Sequence, residues 1–301
     1  MKDISICLDI GGTYIKGMVF DENNNPLIKQ IKQFSALSNQ SATVIFDNII
    51  QIMKDLVQSQ NNKDFKVVFL GVAFPGPFDY KKGISYIKDL GKFDSLYNLN
   101  VKQELKERVQ AIGHEFETAK LYFTNDATAF AIGENYLSKV ESGAYFTIGT
   151  GLGSTFIRDK EIIKGKFGIP ENGMLYSEPF RSSIIDNYIS SRGLKNISKK
   201  YLQTELSGYK LAKRANMGDE GALKAFQEFG NDISEAISPY IDSFNPKEIV
   251  FGGQISNSHP YFERGLQENL LKHIHIRISE NTSTSTLLGL FLLQKESFIE
   301  N

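Results

Sequence analysis

Asp9-Ile10-Gly11-Gly12-Thr13 is the stretch whose reading decides the fold. Before it, Ile4, Ile6 and Leu8 alternate with Ser5, Cys7 and Asp9, the period-2 pattern of a strand. After it, Tyr14-Ile15-Lys16-Gly17-Met18-Val19-Phe20 reads as a second strand, closed by the turn-rich Asp21-Glu22-Asn23-Asn24-Asn25-Pro26. A dinucleotide fold or a P-loop needs a helix here and a different glycine spacing. The two glycines permit a turn whose backbone N–H groups come close to a bound anion. The unit is a hairpin with a phosphate-sized turn and one carboxylate beside it. Taken alone, a Gly-Gly hairpin is more often only a turn.

The 301-residue chain is long enough for two domains. Its 41% hydrophobic and 23% charged residues are ordinary for a globular protein. A net charge of −1 gives no electrostatic reason to expect a nucleic acid or an anionic membrane as partner. The single cysteine, Cys7, excludes an internal disulfide and a multi-cysteine zinc site, and on a strand it reads as a small buried hydrophobe. No apolar run reaches the roughly 18 residues of a membrane span. The first strand begins by residue 4, which leaves no room for a signal peptide. A cytoplasmic location and a small-molecule or protein partner are the expectations.

Outward from the first hairpin, Gln30–Phe34 can add a third strand. Ser38–Gln58 has helical periodicity, with Val44, Phe46, Ile49, Ile50, Met53, Leu56 and Val57 on one side. Lys66–Phe74 is almost continuously apolar, as expected of a strand covered on both faces, and ends in Pro75-Gly76-Pro77. Lys102–Gln110 reads as a short charged helix and Leu121–Thr124 as a strand. Asn125-Asp126 then opens a strong helix, Ala127–Leu137. Gly143–Thr150 and Ser154–Arg158 are strands around a second glycine turn, Gly149-Thr150-Gly151-Leu152-Gly153. Phe180–Arg192 and Asp219–Ser243 read as helices. Glu248–Phe251 reads as a buried strand ending in Gly252-Gly253, and Thr286–Gln294 as a closing apolar helix. A strand–turn–strand unit thus occurs twice, and two such halves can face each other across a cleft. Ligands gather at strand ends in open α/β sheets, so a cleft between two α/β domains is expected.

Two facing glycine turns suit a polyphosphate, because each offers unpaired N–H donors and neither brings a bulky side chain. Thr13, Thr150 and Lys16 add donors. Asp9 would hold the magnesium ion of a nucleotide, through water, since magnesium dehydrates reluctantly. Phosphoryl transfer needs alignment, charge compensation and an oriented nucleophile. For an alcohol nucleophile, a carboxylate that accepts its proton is enough, and Asp126 stands at a strand end and a helix start for that role. The same position is what a helix N-cap looks like; both can hold if Asn125 or Thr124 does the capping. His114, His259, His273 and His275 are scattered and have no partner at a triad or metal-ligand spacing.

Together these residues resemble the ROK family of bacterial sugar kinases and repressors. Asp9, Gly11, Gly12 and Thr13 match its first phosphate motif, and Gly149, Thr150, Gly151 and Gly153 its second. Gly252-Gly253 lies where the adenosine motif sits, and Gly71–Pro77 resembles the family's strand end beside the sugar, which brings Gly76 there. Asn125-Asp126-Ala127-Thr128-Ala129, with Gly133-Glu134, matches the catalytic segment. The resemblance implies Asn125 as a sugar contact and Asp126 as the general base. It also implies an α/β fold of the two-domain actin/hexokinase-like (ribonuclease H-like) ATPase type with an interdomain cleft. Residues 1–118, completed by about 284–301, would form the N-terminal domain and 119–283 the C-terminal one. ATP and Mg2+ as cofactors, a sugar substrate and a homodimer follow from the same resemblance.

Departures from the family pattern fall on the sugar side. The run Pro170-Glu171-Asn172-Gly173-Met174 retains a sugar-binding glutamate as Glu171, but Met174 replaces the histidine that binds zinc and sugar. The family's cysteine cluster is missing, so no zinc is expected. Asp186 stands where a second sugar-binding glutamate is usual, and Asp89-Leu90-Gly91 where Asn-Leu-Pro-Gly is. The expected function is ATP-dependent phosphorylation of a hexose or hexose-derivative hydroxyl, at O6. A β-glucoside kinase and a catalytically silent sugar-sensing or partner-binding protein are the alternatives. Family repressors carry a helix-turn-helix domain ahead of the first phosphate motif; only two residues precede Asp3, which tells against a regulator.

Overall fold

Alternating burial along the first two runs produces the hairpin that the sequence predicts. In the computed structural model, which describes residues 2–58, 64–270 and 274–294, β1 (Lys2–Ile10) pairs antiparallel with β2 (Tyr14–Asp21). Strand β3 (Lys32–Ser35) pairs with β2 and forms the sheet edge. Helix α1 (Ala42–Gln58) follows, starting later than its periodic pattern suggests. Its buried stripe is Ile45, Phe46, Ile49, Ile52, Met53, Leu56 and Val57; Val44 is exposed and Ile50 only half-buried. Strand β4 (Phe65–Ala73) then lies parallel to β1.

Short strands β5 (Phe78–Asp79) and β6 (Ile84–Ser85) form a small ribbon in the segment expected to be loop. Helix α2 (Val101–Gln110) begins at Asn100, whose side chain accepts the Gln103 N–H. Strand β7 (Lys120–Thr124) pairs parallel with β4, completing a sheet of order β3-β2-β1-β4-β7. Helix α3 (Asp126–Ser138) leaves its end.

The second half repeats this plan. Strand β8 (Ser142–Ile148) forms a hairpin with β9 (Leu152–Arg158), which β10 (Glu161–Ile162) extends. Strand β13 (Glu248–Gly252) lies parallel to β8, and β14 (His275–Ile278) parallel to β13. The sheet order is β10-β9-β8-β13-β14, the counterpart of the first. Between β10 and β13 come the ribbon β11 (Pro179–Phe180) and β12 (Ser183–Ile184), then α4 (Ile185–Tyr188), α5 (Ser191–Leu202), α6 (Gly208–Asn216) and α7 (Glu220–Phe244). Phe226, Phe229, Ile233, Ile237, Ile241 and Phe244 of α7 join Phe146, Phe156, Ile249 and Phe251 of the sheet in one buried core. Helix α8 (His259–Leu266) precedes β14, and α9 (Thr282–Leu293) ends the described chain.

The single helix expected over Phe180–Arg192 is not formed. Arg181, at φ 50, turns the β11–β12 ribbon instead, and its guanidinium pairs with Asp232 at 2.7 Å and with Glu235. Ser190 then starts a new helix by accepting the Gly193 N–H. Apolar spacing alone misses such a restart.

The chain divides into two compact units: one runs from the N-terminus through Gly133 and takes in α9 from Ser283, the other is Glu134–Thr282. The first unit therefore extends past residue 118, because β7 is hydrogen-bonded into its sheet and α3 packs on α9. That packing depends on missing side chains. A Cβ on Gly289 would stand 1.8 Å from the Ala129 carbonyl oxygen, and one on Gly133 would stand 1.9 Å from that of Ser285. Gly289→Ala is expected to lower stability by about 1–3 kcal/mol, seen as an earlier denaturant midpoint. An unchanged midpoint would contradict the close approach of α3 and α9.

Candidate functional site

In the first unit, register alone gathers the candidate residues. Asp9 pairs with Ala73 across β1 and β4, and Ala73 with Thr124 across β4 and β7. The three parallel strands end together, so the turn after Asp9, the Phe74–Pro77 segment and Asn125-Asp126 emerge side by side along one sheet edge. Strand spacing of about 4.8 Å sets their separation.

The first glycine turn is closed by a Gly11 N–H bond to the Tyr14 carbonyl at 2.9 Å. From outside, Ala36 N–H donates to the Thr13 carbonyl and the Ser38 hydroxyl to the Gly12 carbonyl. The Gly11 N–H is spent inside the turn, whereas the two outside bonds use only its carbonyls and leave the Gly12 and Thr13 N–H groups for an anion. Lys16 lies opposite Asp9 in the hairpin register, and its ammonium donates to the Ser283 hydroxyl at 2.6 Å.

At the end of β7, Asn125 does the capping. Its Oδ1 accepts the Ala127 N–H at 2.8 Å, while its Nδ2 donates to the Tyr80 hydroxyl at 3.1 Å. The Tyr80 hydroxyl in turn donates to the Phe74 carbonyl at 2.9 Å, so Asn125 is tied to the strand end that carries Gly76. Asp126 shares the Ala127 N–H at 3.0 Å and stays open to solvent. The main N-cap and the exposed carboxylate are thus two adjacent residues. Tyr80 carried no signal in the sequence beyond its aromatic type.

Electrostatics distinguishes these carboxylates from surface ones. Loss of hydration pushes Asp9 up to about 6; the Asp126 charge adds to the rise and Lys16 opposes it. Asp126 is also raised, first by the surrounding protein mass despite its open tip, with the Ala127 N–H and Lys92 pulling the other way. The cost of ionising Asp9 is one that a neighbouring dication would remove, so the residues present suit a hydrated magnesium ion. Among the described residues no group of three or more His, Cys, Asp or Glu is gathered as a metal site. Cys7 is buried in β1, and burial pushes its thiol up. His114 and His275 are exposed, and His259 packs edge-on against Phe262; His273 lies outside the described residues.

The second unit brings two further glycine turns together. Gly149 N–H bonds to the Gly151 carbonyl at 3.0 Å, closing the β8–β9 turn, and Thr150 at its tip is exposed. Gly252 pairs with Thr147 in the adjacent strand, which sets Gly253 against the base of that turn. Gly253 has φ +90, and a Cβ there would be 2.4 Å from the Ile148 carbonyl oxygen, so both conformation and space require glycine. Its N–H donates to the Thr282 hydroxyl at 2.9 Å. Asp186 is committed to the same turn: Oδ1 accepts the Leu152 N–H at 2.7 Å, close beside Gly151, and Oδ2 accepts from Arg192 at 3.1 Å. Glu171 is exposed, its carboxylate lying beside Gly165. Met174 is half-buried.

A stability signature follows from Asp9. The folded chain holds its proton up to about pH 6, whereas the unfolded chain releases it near 3.8. Between these values the folded state binds more protons, so stability falls as pH rises and the loss is complete above the folded value. Without divalent cations, Asp9→Asn is expected to raise the melting temperature by several degrees at about pH 8 and hardly at about pH 4. An equal shift at both pH values would contradict this.

The ROK family profile matches residues 5–296. The chain is 24% identical to a glucokinase of Thermotoga maritima over 297 residues, covering 89% of this chain and 87% of that one. It is 21% identical to a xylose repressor of Bacillus subtilis over 290 residues, 92% of this chain and 71% of the repressor. Among solved structures, a ROK family glucokinase from Streptomyces griseus, in complex with glucose and AMPPNP, superposes with a TM-score of 0.75 at 19% identity. That superposition covers 97% of this chain and 99% of the other. The fold is thus the mixed α/β, actin/hexokinase-like one of ROK sugar kinases, and the chain belongs to the ROK family.

Proposed function

We propose that this chain is an ATP-dependent sugar kinase that phosphorylates a hexose or hexose-derivative hydroxyl, with O6 as the expected position. One observation carries the proposal. Asn125 takes over the capping of α3, so Asp126 is left as an accessible carboxylate of raised pKa on the same sheet edge as Asp9 and the first glycine turn. Such a group suits a general base, which works best when its pKa approaches the working pH.

In this account Asp126 accepts the hydroxyl proton as the sugar oxygen bonds to the γ-phosphorus and the bond to the ADP oxygen breaks. Gly11, Gly12, Thr13 and Lys16, with Gly149, Thr150, Gly151 and Gly153, would serve the phosphates, and Gly252 and Gly253 the adenosine. Asp9 would hold the hydrated Mg2+, which supplies charge compensation. Asn125, Gly76 and Glu171 would contact the sugar. Asp186 has both carboxylate oxygens engaged, so we assign it to shaping the second turn ahead of touching a sugar hydroxyl. Glucokinase similarity and the glucose and AMPPNP complex of a structural neighbour support the kinase reading.

Similarity to a xylose repressor favours a second reading, a protein that binds sugar without turning it over. A coupled ADP-release assay across hexoses, amino sugars and disaccharides separates the two. The kinase reading expects release with at least one sugar and a loss of about 10²–10⁴-fold in Asp126→Ala, with nucleotide affinity nearly intact. The acid limb of the rate should lie above the ordinary carboxylate range, because Asp126 must be ionised and its pKa is raised. Undiminished turnover in Asp126→Ala would contradict the assignment.

A further inference from the structure

One charged side chain at the first glycine turn has no assigned part. Lys92 follows Asp89-Leu90-Gly91, and its aliphatic stem lies across the turn: a Cβ on Gly12 would stand 2.7 Å from the Lys92 Cδ and 3.5 Å from its Cβ. The charge at the end of that stem acts on Asp126.

The loop that presents Lys92 is built to hold it there. Both carboxylate oxygens of Asp94 are used, accepting the N–H groups of Leu90 at 3.0 Å and Gly91 at 2.9 Å. Phe93 adopts φ 57 and is fully buried, with its ring 5.3 Å from that of Phe74 at the end of β4. Its N–H donates to the Ser38 carbonyl at 2.6 Å, and the Ser38 hydroxyl reaches back to the Gly12 carbonyl. The backbone that carries Lys92 is therefore anchored by the buried Phe93 ring and, through Ser38, to the turn that the lysine stem covers. A left-handed phenylalanine is an uncommon conformation, retained here where it aims a neighbour.

Two carboxylates and two ammonium groups share this edge. Lys16 faces Asp9 and is hydrogen-bonded to Ser283. The Lys92 stem lies over Gly12 and its charge is felt at Asp126, while among the described residues no carboxylate pairs with its ammonium, so its donors are open to a ligand. We propose that Lys92 is a further functional residue of this site, its ammonium meeting the phosphoryl group in transfer above the first glycine turn, next to Asp126. A lysine acts as a compact point charge with three donors, the type of group that compensates charge on a transferring phosphoryl. The hydroxyl proton still passes to Asp126, and Lys92 contributes charge and donors only. The inference rests on reading this edge as a phosphoryl-transfer site.

Calorimetry and kinetics on the full chain test it, with Lys92→Met keeping the stem and Lys92→Arg keeping the charge. In the absence of sugar, Lys92→Met should bind the Mg2+ complex of a non-hydrolysable ATP analogue about tenfold more weakly while binding MgADP as before. With a sugar that the wild type phosphorylates, its kcat should fall about 10²-fold with little change in the sugar KM. Lys92→Arg should recover most of both losses. Equal nucleotide affinities and kcat in wild type and Lys92→Met would overturn the role of Lys92 alone, as would an arginine variant no better than methionine. A wild-type chain that binds neither nucleotide would overturn the phosphoryl-transfer reading itself, and the wild-type measurement shows which has failed.

Discussion

The constraint on which the first unit depends is the parallel register of β1, β4 and β7, in which Asp9, Ala73 and Thr124 stand abreast. Parallel strands in register finish at one edge, and the chain leaves that edge three times: through the glycine turn, through Phe74–Pro77 and through Asn125-Asp126. Nothing further is needed to collect a glycine turn and two carboxylates from distant parts of the sequence. Their crowding then sets the chemistry. Asp9 ionises reluctantly because it is desolvated and has Asp126 for a neighbour, and Asp126 is raised by desolvation while Lys92 draws it back. Such strain in ionisation favours a bound dication beside Asp9 and makes Asp126 a stronger proton acceptor than a surface carboxylate.

The second unit uses the same strand order to place two glycine turns next to each other on β8–β9 and β13. Here the constraint is steric: Gly253 can sit over Ile148 only without a side chain. The Asp186 carboxylate fastens the first of these turns to α4 and, through Arg192, to α5. Asp186, expected from the sequence as a sugar contact, thus has a structural use of its own, its carboxylate accepting a backbone N–H of the turn.

Much of this was legible in the sequence because it is written in local patterns. Period-2 runs on either side of Gly11-Gly12 and Gly149–Gly153 specify hairpins, and their repetition specifies a duplicated plan. Asn125-Asp126 before an alanine-rich run specifies a helix start, though only the structure shows that Asn125 caps and Asp126 remains open. Other features depend on long-range contacts and left no periodic trace. The ribbon ahead of the Ser190 restart is held by Arg181 on Asp232, 51 positions away. The stripe of α1 shifts to Ile45 and Ile52 because the sheet decides which face is covered. Lys92 is one lysine among many until a buried Phe93 and the Ser38 bonds lay it over Gly12.

The central claim is that this edge transfers a phosphoryl group to a sugar hydroxyl. Phosphorus NMR of the wild-type chain with MgATP and each sugar in turn tests it most directly, because it identifies the product and not only nucleotide loss. The account predicts a new phosphomonoester resonance growing in step with ADP for at least one hexose or hexose derivative. ADP accompanied by inorganic phosphate alone, or no change with any sugar, would contradict it.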